Sequence, residues 1–373
     1  MAPILSYQPL KALYILFAVV LESIRFPLWI VLYVFPSGRP HKKWSHRQAM
    51  GMRIIKAFLQ HGSKVQVRTS LSLKPGHEGK RFVVMNPSPS PLYKGPMEDK
   101  QIKPATVGGT WTPAAYDPSS SKPEAVDVVL HFHGGAYVIG DGRDHDTGFL
   151  AKTILKHARV THVFTPQYRL SSNPGGRFPA ALQDALTSYT HLIHTLRIPP
   201  SRITISGDSA GANLTLALLR YLSEYGQDVE LPWPGCVWLW SPWVNVAAGL
   251  NPRRIERNQN YHTDYLGGNF GLWGVSTFAE KHDPHDPYLS PLGHPFRVQS
   301  PIWLQCGEAE MLYADDIAIA KELEGVAGNR VELLVKEAMP HDIILVGGLL
   351  GFHREAAECA QKAGEFSRGN RKL

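Results

Sequence analysis

The chain has 373 residues, enough for one large α/β domain with an appendage or for two domains. Its three cysteines, Cys236, Cys306 and Cys359, exclude a disulfide framework, and the first two fall in apolar strand-like runs where a buried thiol is expected. The formal charge of +7 is uneven: residues 1–80 carry 12 Lys/Arg against 2 Asp/Glu and the remainder 27 against 30, so the body is near neutral and lacks the basic, aromatic-laced stripe that nucleic acid would need.

Residues 13–35 form an apolar run long enough to cross a bilayer core. Glu22, Arg25 and Pro27 sit at its middle, where charge is costly and helices kink, although Glu22 and Arg25 are spaced to offset one another. No small-residue cleavage site follows. The run therefore predicts a retained membrane-associated helix, spanning or dipping in, with a lid over the protein's own apolar mouth as the alternative. Arg39, Lys42, Lys43 and Arg47 follow it closely, a bias that would keep the body on the cytoplasmic side. Residues 1–40 are read as this anchor and 41–80 as a helical cap segment leading to the first strand. The main domain is 81–373, with an insertion at about 245–299.

Met50, Ile54, Ile55, Phe58 and Leu59 recur at helical spacing and predict a helix over 46–64. Extended segments are expected at 64–73 and 81–85, and 86–125, rich in Pro, Gly and Ser, reads as loop. From 126 onward the pattern alternates. Strands are expected at 126–132, 160–168, 203–206, 236–240, 302–306 and 331–335. Helices are expected at 147–157, 178–196, 209–225, 315–326 and, for the most part, 343–362. Only 245–299 is irregular. Apolar strands alternating with helices predict a mostly parallel sheet covered on both faces, with function gathered at the carboxyl ends of the strands.

Three such ends carry candidate chemistry. Gly207-Asp208-Ser209-Ala210-Gly211 fits Gly-x-Ser-x-Gly between a strand and a helix, a sharp turn that would lift the Ser209 hydroxyl and aim the Ala210 N–H into the same space. His131-Phe-His-Gly-Gly-Ala-Tyr137 closes an earlier strand, and the N–H groups of Gly134, Gly135 and Ala136 suit a negatively charged acyl oxygen. A His131/His133 metal pair has no third ligand nearby. A serine nucleophile needs a base and a carboxylate to orient it. His341, after the last strand, and Glu310, after the strand before, fill those places, with Glu308 and Asp315 as competitors for the acid. The His282–Pro287 cluster, with two prolines, reads as a rigid loop. Asn213-Leu-Thr215 matches a glycosylation sequon but falls inside the helix after Ser209. Trp233, Trp238 and Trp240 read as core, whereas Trp243 is placed to line an acyl pocket, as is Tyr137.

Taken in order, several motifs resemble the hormonesensitive-lipase-like α/β-hydrolases, close in layout to the membrane-anchored arylacetamide and steryl deacetylases. They are His133–Ala136, Tyr168-Arg-Leu170, Phe178–Asp184, Gly207–Gly211, Asp286–Leu292, Gly307–Leu312 and Pro340-His341. The resemblance covers about 126–362. It implies an eight-stranded α/β-hydrolase sheet, a cap from N-terminal helices plus 245–299, and ester hydrolysis with neither cofactor nor metal. Gly135, Ala136 and Ala210 would then be the oxyanion donors. Two departures stand out: Ala136 replaces the third glycine, and Ser171-Ser-Asn-Pro-Gly-Gly replaces the usual Ala-Pro-Glu. The activity expected is a serine carboxylesterase or deacetylase acting on short-acyl esters of a hydrophobic alcohol. Partners would be that ester and a membrane lipid surface, at the endoplasmic reticulum. Acyl transfer by the same triad and a non-catalytic receptor on this fold are the alternatives.

Overall fold

The computed structural model of the protein describes residues 3–119 and 126–370. Eight strands make one sheet: β1 (Phe82–Met85), β2 (Val107–Thr112), β3 (Val128–Phe132), β4 (His162–Gln167), β5 (Ile203–Asp208), β6 (Cys236–Trp240), β7 (Ile302–Gly307) and β8 (Val331–Lys336). Their order is β1-β2-β4-β3-β5-β6-β7-β8, with β2 antiparallel to both neighbours and all other pairs parallel. Strands β3, β5, β6 and β7 are buried at every position, which is why they read as continuous apolar runs rather than alternating ones.

The α-helices are α1 (Leu10–Val34), α2 (His46–Val65), α3 (Asp144–Ala158), α4 (Ala180–Thr190), α5 (Ala210–Tyr225), α6 (Pro252–Glu256), α7 (Gly268–Phe278), α8 (Tyr313–Glu324), α9 (Ile343–Leu350) and α10 (His353–Asn370). Helices α3 and α10 pack on each other and on the sheet, and α4 and α5 form a second such pair. Helix α2 opens on a capping box, in which the Ser45 hydroxyl accepts from Gln48 N and the Gln48 side chain accepts from Ser45 N. It packs against α7 and α9, so it lies over the end of the sheet where β5, β6 and β7 deliver their last residues. Trp238, Trp240 and Trp303 fill the sheet core, with the Trp240 and Trp303 rings 4.6 Å apart. All three cysteines are buried.

The sequence misleads in three places. Residues 66–73 join no strand. Helix α2 stops at Gln66 in a left-handed conformation, and the Arg143 guanidinium then takes the carbonyls of Ser72 and Lys74 at 2.6 Å each. A side chain thus satisfies backbone groups that a ladder would have used. The expected loop at 86–125 contains β2, while 120–125 lie outside the described residues. In β2 a Cβ at Gly108 or Gly109 would lie 2.3 Å from the ring of Phe82 or of Phe164, so the strand accommodates rings rather than bearing side chains there. The helix expected over 343–362 divides at Gly351, whose φ is +85°.

Candidate active site

The turn that carries Ser209 is built by close approach. Ser209 has φ +49° and ψ −115°, a strained conformation between β5 and α5. A Cβ on Gly207 would lie 2.2 Å from Gly211 O, and one on Gly211 would lie 1.9 Å from Phe132 O, so both positions admit only glycine. Ser209 N donates to Trp240 O at 2.9 Å and Trp243 N donates to Ser209 O at 3.0 Å, tying the turn to the end of β6.

The loop after β3 lies against this turn. A Cβ on Gly134 would be 2.3 Å from Asp208 Oδ2 and 3.1 Å from Ser209 Cβ. Gly135, Ala136 and Tyr137 all have positive φ, +109°, +51° and +62°, and Gly135 O accepts from Val138 N and Ile139 N. Among the described residues no protein acceptor takes the N–H of Gly135, Ala136 or Ala210. Ala136 therefore occupies the left-handed region that glycine would enter without strain. Tyr137 does not line the cavity beside Ser209. It is buried, stacked on Phe278 at 3.7 Å between ring centroids, with its hydroxyl donating to Asn213 Oδ1 at 2.7 Å.

Glu310, after β7, and His341, after β8, come together in the interior. Glu310 Oε2 lies 3.8 Å from His341 Nδ1, longer than a hydrogen bond, and accepts from Ser241 Oγ at 2.6 Å. His341 Nε2 has no hydrogen-bond partner among the described residues. Glu308 is exposed and caps Ala338 N, and Asp315 faces the cavity instead. Burial works against the charge on Glu310, yet the adjoining Asp316, the nearby His341 ring and the hydrogen bond from Ser241 hold its carboxyl below the ordinary range. Burial and the adjoining Glu310 carboxylate push the Asp316 carboxyl well above the ordinary range. Beside Ser209, burial and the Asp208 carboxylate likewise push Asp342 up, so the residue next to His341 adjoins the residue next to Ser209. For His341, burial disfavours the charged ring, but the carboxylates of Glu310, Asp264 and Asp208 outweigh it and raise its pKa.

A cavity of about 220 Å³ opens on Ser209, with Ala136, Trp243, Ile255, Leu266 and Phe270 among its walls. A larger hollow of about 680 Å³, between Pro87 and Lys103 and against Gln183, touches none of these groups. His131 lies between Ser206 Oγ (2.9 Å) and Asp208 Oδ1 (2.8 Å), and His133 Nδ1 donates to Gly134 O. Among the described residues no group of three His, Cys, Asp or Glu side chains is placed to hold a metal ion.

Comparison with known proteins bears on this geometry. Residues 129–345, more than half of the chain, match a family described as alpha/beta hydrolase fold. The chain belongs to that family. An acetyl-hydrolase of Streptomyces hygroscopicus is 29% identical to this α/β-hydrolase over 196 residues, 52% of this chain and 60% of that protein. An ethyl acetate hydrolase of Pseudomonas putida is 30% identical over 250 residues, 65% of this chain and 74% of that protein. The match thus spans less than two thirds of the Streptomyces protein. The crystal structure of an esterase from the bacterial hormone-sensitive lipase family superposes with a TM-score of 0.61 over 88% of this chain and 99% of that one, at 22% identity. That likeness speaks for the fold.

Four residues that hold the α/β-hydrolase site together escape sequence reading. Asn213, the sequon residue, is fully buried, and its amide donates to Trp243 O (2.9 Å) and Leu289 O (2.7 Å) while accepting from Tyr137. Ser241 bridges Glu310 Oε2 to Asp342 N. Asp316 and Asp342 complete the two carboxyl pairs. Only the positions next to His341 and on the helix after Glu310 gave any signal, and short polar residues there read equally well as helix caps.

Proposed function

We propose that this chain is a serine carboxylesterase that removes acetyl or other short acyl groups from esters of a hydrophobic alcohol. The observation that supports this best is Ser209 opening on one small cavity, together with a buried histidine–glutamate pair. Ser209 and Ala136 line that cavity, and His341 and Glu310, after the last two strands, lie 3.8 Å apart. Its volume of about 220 Å³ is below the usual range for drug-sized ligands, which suits a short acyl chain. In this reading Ser209 Oγ attacks the ester carbonyl and His341 takes its proton. Glu310 orients the imidazole and stabilises its charge. The N–H groups of Gly135, Ala136 and Ala210 meet the oxyanion, and Gly134 lets their loop reach Ser209. The alcohol leaves with the proton from His341. A water activated by the same imidazole then releases the acid and regenerates Ser209. The 3.8 Å between His341 and Glu310 shortens by about 1 Å to a hydrogen bond as the reaction proceeds, a common tightening from unliganded geometry.

The reading includes an anionic lipid surface as partner, through α1, the one helix among the described residues long and apolar enough to cross a membrane. Helix α2 and residues 245–299 act as the cap. No feature among the described residues specifies the endoplasmic reticulum. Ser209→Ala should lower hydrolysis of p-nitrophenyl acetate by on the order of 10⁴ or more and abolish labelling by a fluorophosphonate. An unchanged rate in that variant sinks the proposal.

A further inference from the structure

Helix α1 meets α2 through Tyr14, Glu22, Trp29 and Tyr33, while Ser23 and Arg25 stay exposed. Glu22 accepts from Arg53 Nη2 at 3.0 and 3.2 Å and from Arg25 at 3.2 Å, and it lies 3.3 Å from His61 Nε2. At one end Tyr14 OH meets His61 Nδ1 at 2.8 Å. Further along, Arg53 sits over the Trp29 ring at 4.8 Å. At the other end Tyr33 packs with Ala49 and Met50, and His46 contacts Ile30 O at 3.2 Å. Residues 14 to 33 of α1 therefore run antiparallel along α2, from 61 back to 46. Helix α2 is itself fixed to the body. Trp44 just before it donates to Ala338 O, and Lys56 donates to Asp264 O at 2.8 Å. The rest of α1 is largely apolar and open, with Leu13, Phe17, Ile24, Leu28 and Val31 each more than half exposed. Ile54 and Phe58 of α2 are more than half exposed too.

We infer that α1 lies in the plane of an anionic membrane surface, docked together with Ile54 and Phe58 of α2, and does not cross the bilayer. This rests on the lipid-surface part of the reading above. Crossing would require α1 to leave α2, separating Glu22 from Arg53 and His61 and carrying its carboxylate into hydrocarbon. Lying flat keeps every one of those contacts and still removes the open apolar faces from water. Exposed Lys42 and Arg47 follow the helix and complement an anionic headgroup layer. The docked hairpin also adjoins the cavity. Lys56 holds the backbone at Asp264, and Leu266 and Gly267 just beyond it are cavity walls, so an ester dissolved in the bilayer enters beside α2.

The test uses the full chain reconstituted from detergent into sealed phosphatidylcholine–phosphatidylserine vesicles. Tyr7 and Ser37 flank α1 and are exposed, whereas the three native cysteines are buried. A Tyr7→Cys/Ser37→Cys double variant is treated with a membrane-impermeant maleimide and the labels per molecule are counted by mass spectrometry. In-plane docking gives molecules with two labels or none, whichever leaflet they occupy. A spanning helix gives one label on each molecule, and that result overturns the inference while leaving membrane association intact. An acrylodan label at Phe58→Cys should shift to the blue on vesicles, and an unshifted spectrum also overturns it. Protein that fails to float with vesicles removes the lipid-surface reading itself.

Discussion

Gly274 lies where α7 crosses the loop 134–137, proposed above to bear the oxyanion donors, and an alanine there tests how firmly that loop is held. A Cβ at 274 would be 2.9 Å from Ala136 Cβ, 2.9 Å from Ala136 O and 3.1 Å from Trp243. Comfortable carbon contact begins at about 3.5–4 Å, so Gly274→Ala demands a relative shift of about 0.5–1 Å between helix and loop. The loop has little freedom to absorb it, because Ala136 already sits at φ +51°. Misplacing a catalytic group by about 1 Å costs on the order of 10² in rate, and losing one oxyanion donor costs about 10²–10³. We expect kcat on p-nitrophenyl acetate to fall about 10²-fold. The fold should survive, since Gly to Ala inside a helix adds about 1 kcal/mol of helix stability. Gly271→Ala is the control on the same helix. Its Cβ would meet the flexible Cδ1 of Ile255 at 3.1 Å, and Gly271 is a cavity wall, so the change should act on KM and leave kcat within about threefold. Equal kcat values in the two variants, with matched thermal melts, would refute the bracing argument.

Three other outcomes follow from the site. Glu310→Ala should lower kcat by about 10³–10⁴, whereas Glu308→Ala should stay within about twofold, and steady-state kinetics on the pair decides which carboxylate is the acid. His341 must be neutral to accept the serine proton, and its neighbours hold its pKa above the ordinary 6.5. The acid limb of kcat/KM should therefore have its midpoint above pH 6.5, with activity lost as pH falls through it, and a midpoint below 6.5 contradicts the carboxylate arrangement. Asn213→Ala leaves Tyr137 OH, Trp243 O and Leu289 O without their partner and should cost about 2–4 kcal/mol in chemical denaturation.

The fold's centre was legible because β3, β5, β6 and β7 are covered on both faces, and double burial writes itself as an unbroken apolar run. Ser209 was legible through its two glycines, each required by a backbone approach that leaves no room for a side chain. Strand β2 was hidden for the opposite reason. What makes it a strand is the rings of Phe82 and Phe164 lying over Gly108 and Gly109, a fact of tertiary packing that local propensity cannot express. Tyr137 was misplaced because its neighbour Ala136 faces the cavity while its own φ of +62° turns it toward Phe278. Asp316 and Asp342 were illegible because each owes its raised pKa to burial and to a carboxylate brought from elsewhere in the fold, Glu310 and Asp208, which no local pattern records.

The contact of Gly211 with the end of β3 limits how this fold can diversify. With no space between α5 and the end of β3, the two must be inherited, grafted or engineered as a single casting. New substrate preferences would then come from exchanging the covering segments, and a library confined to them would search specificity without disturbing the chemistry beneath.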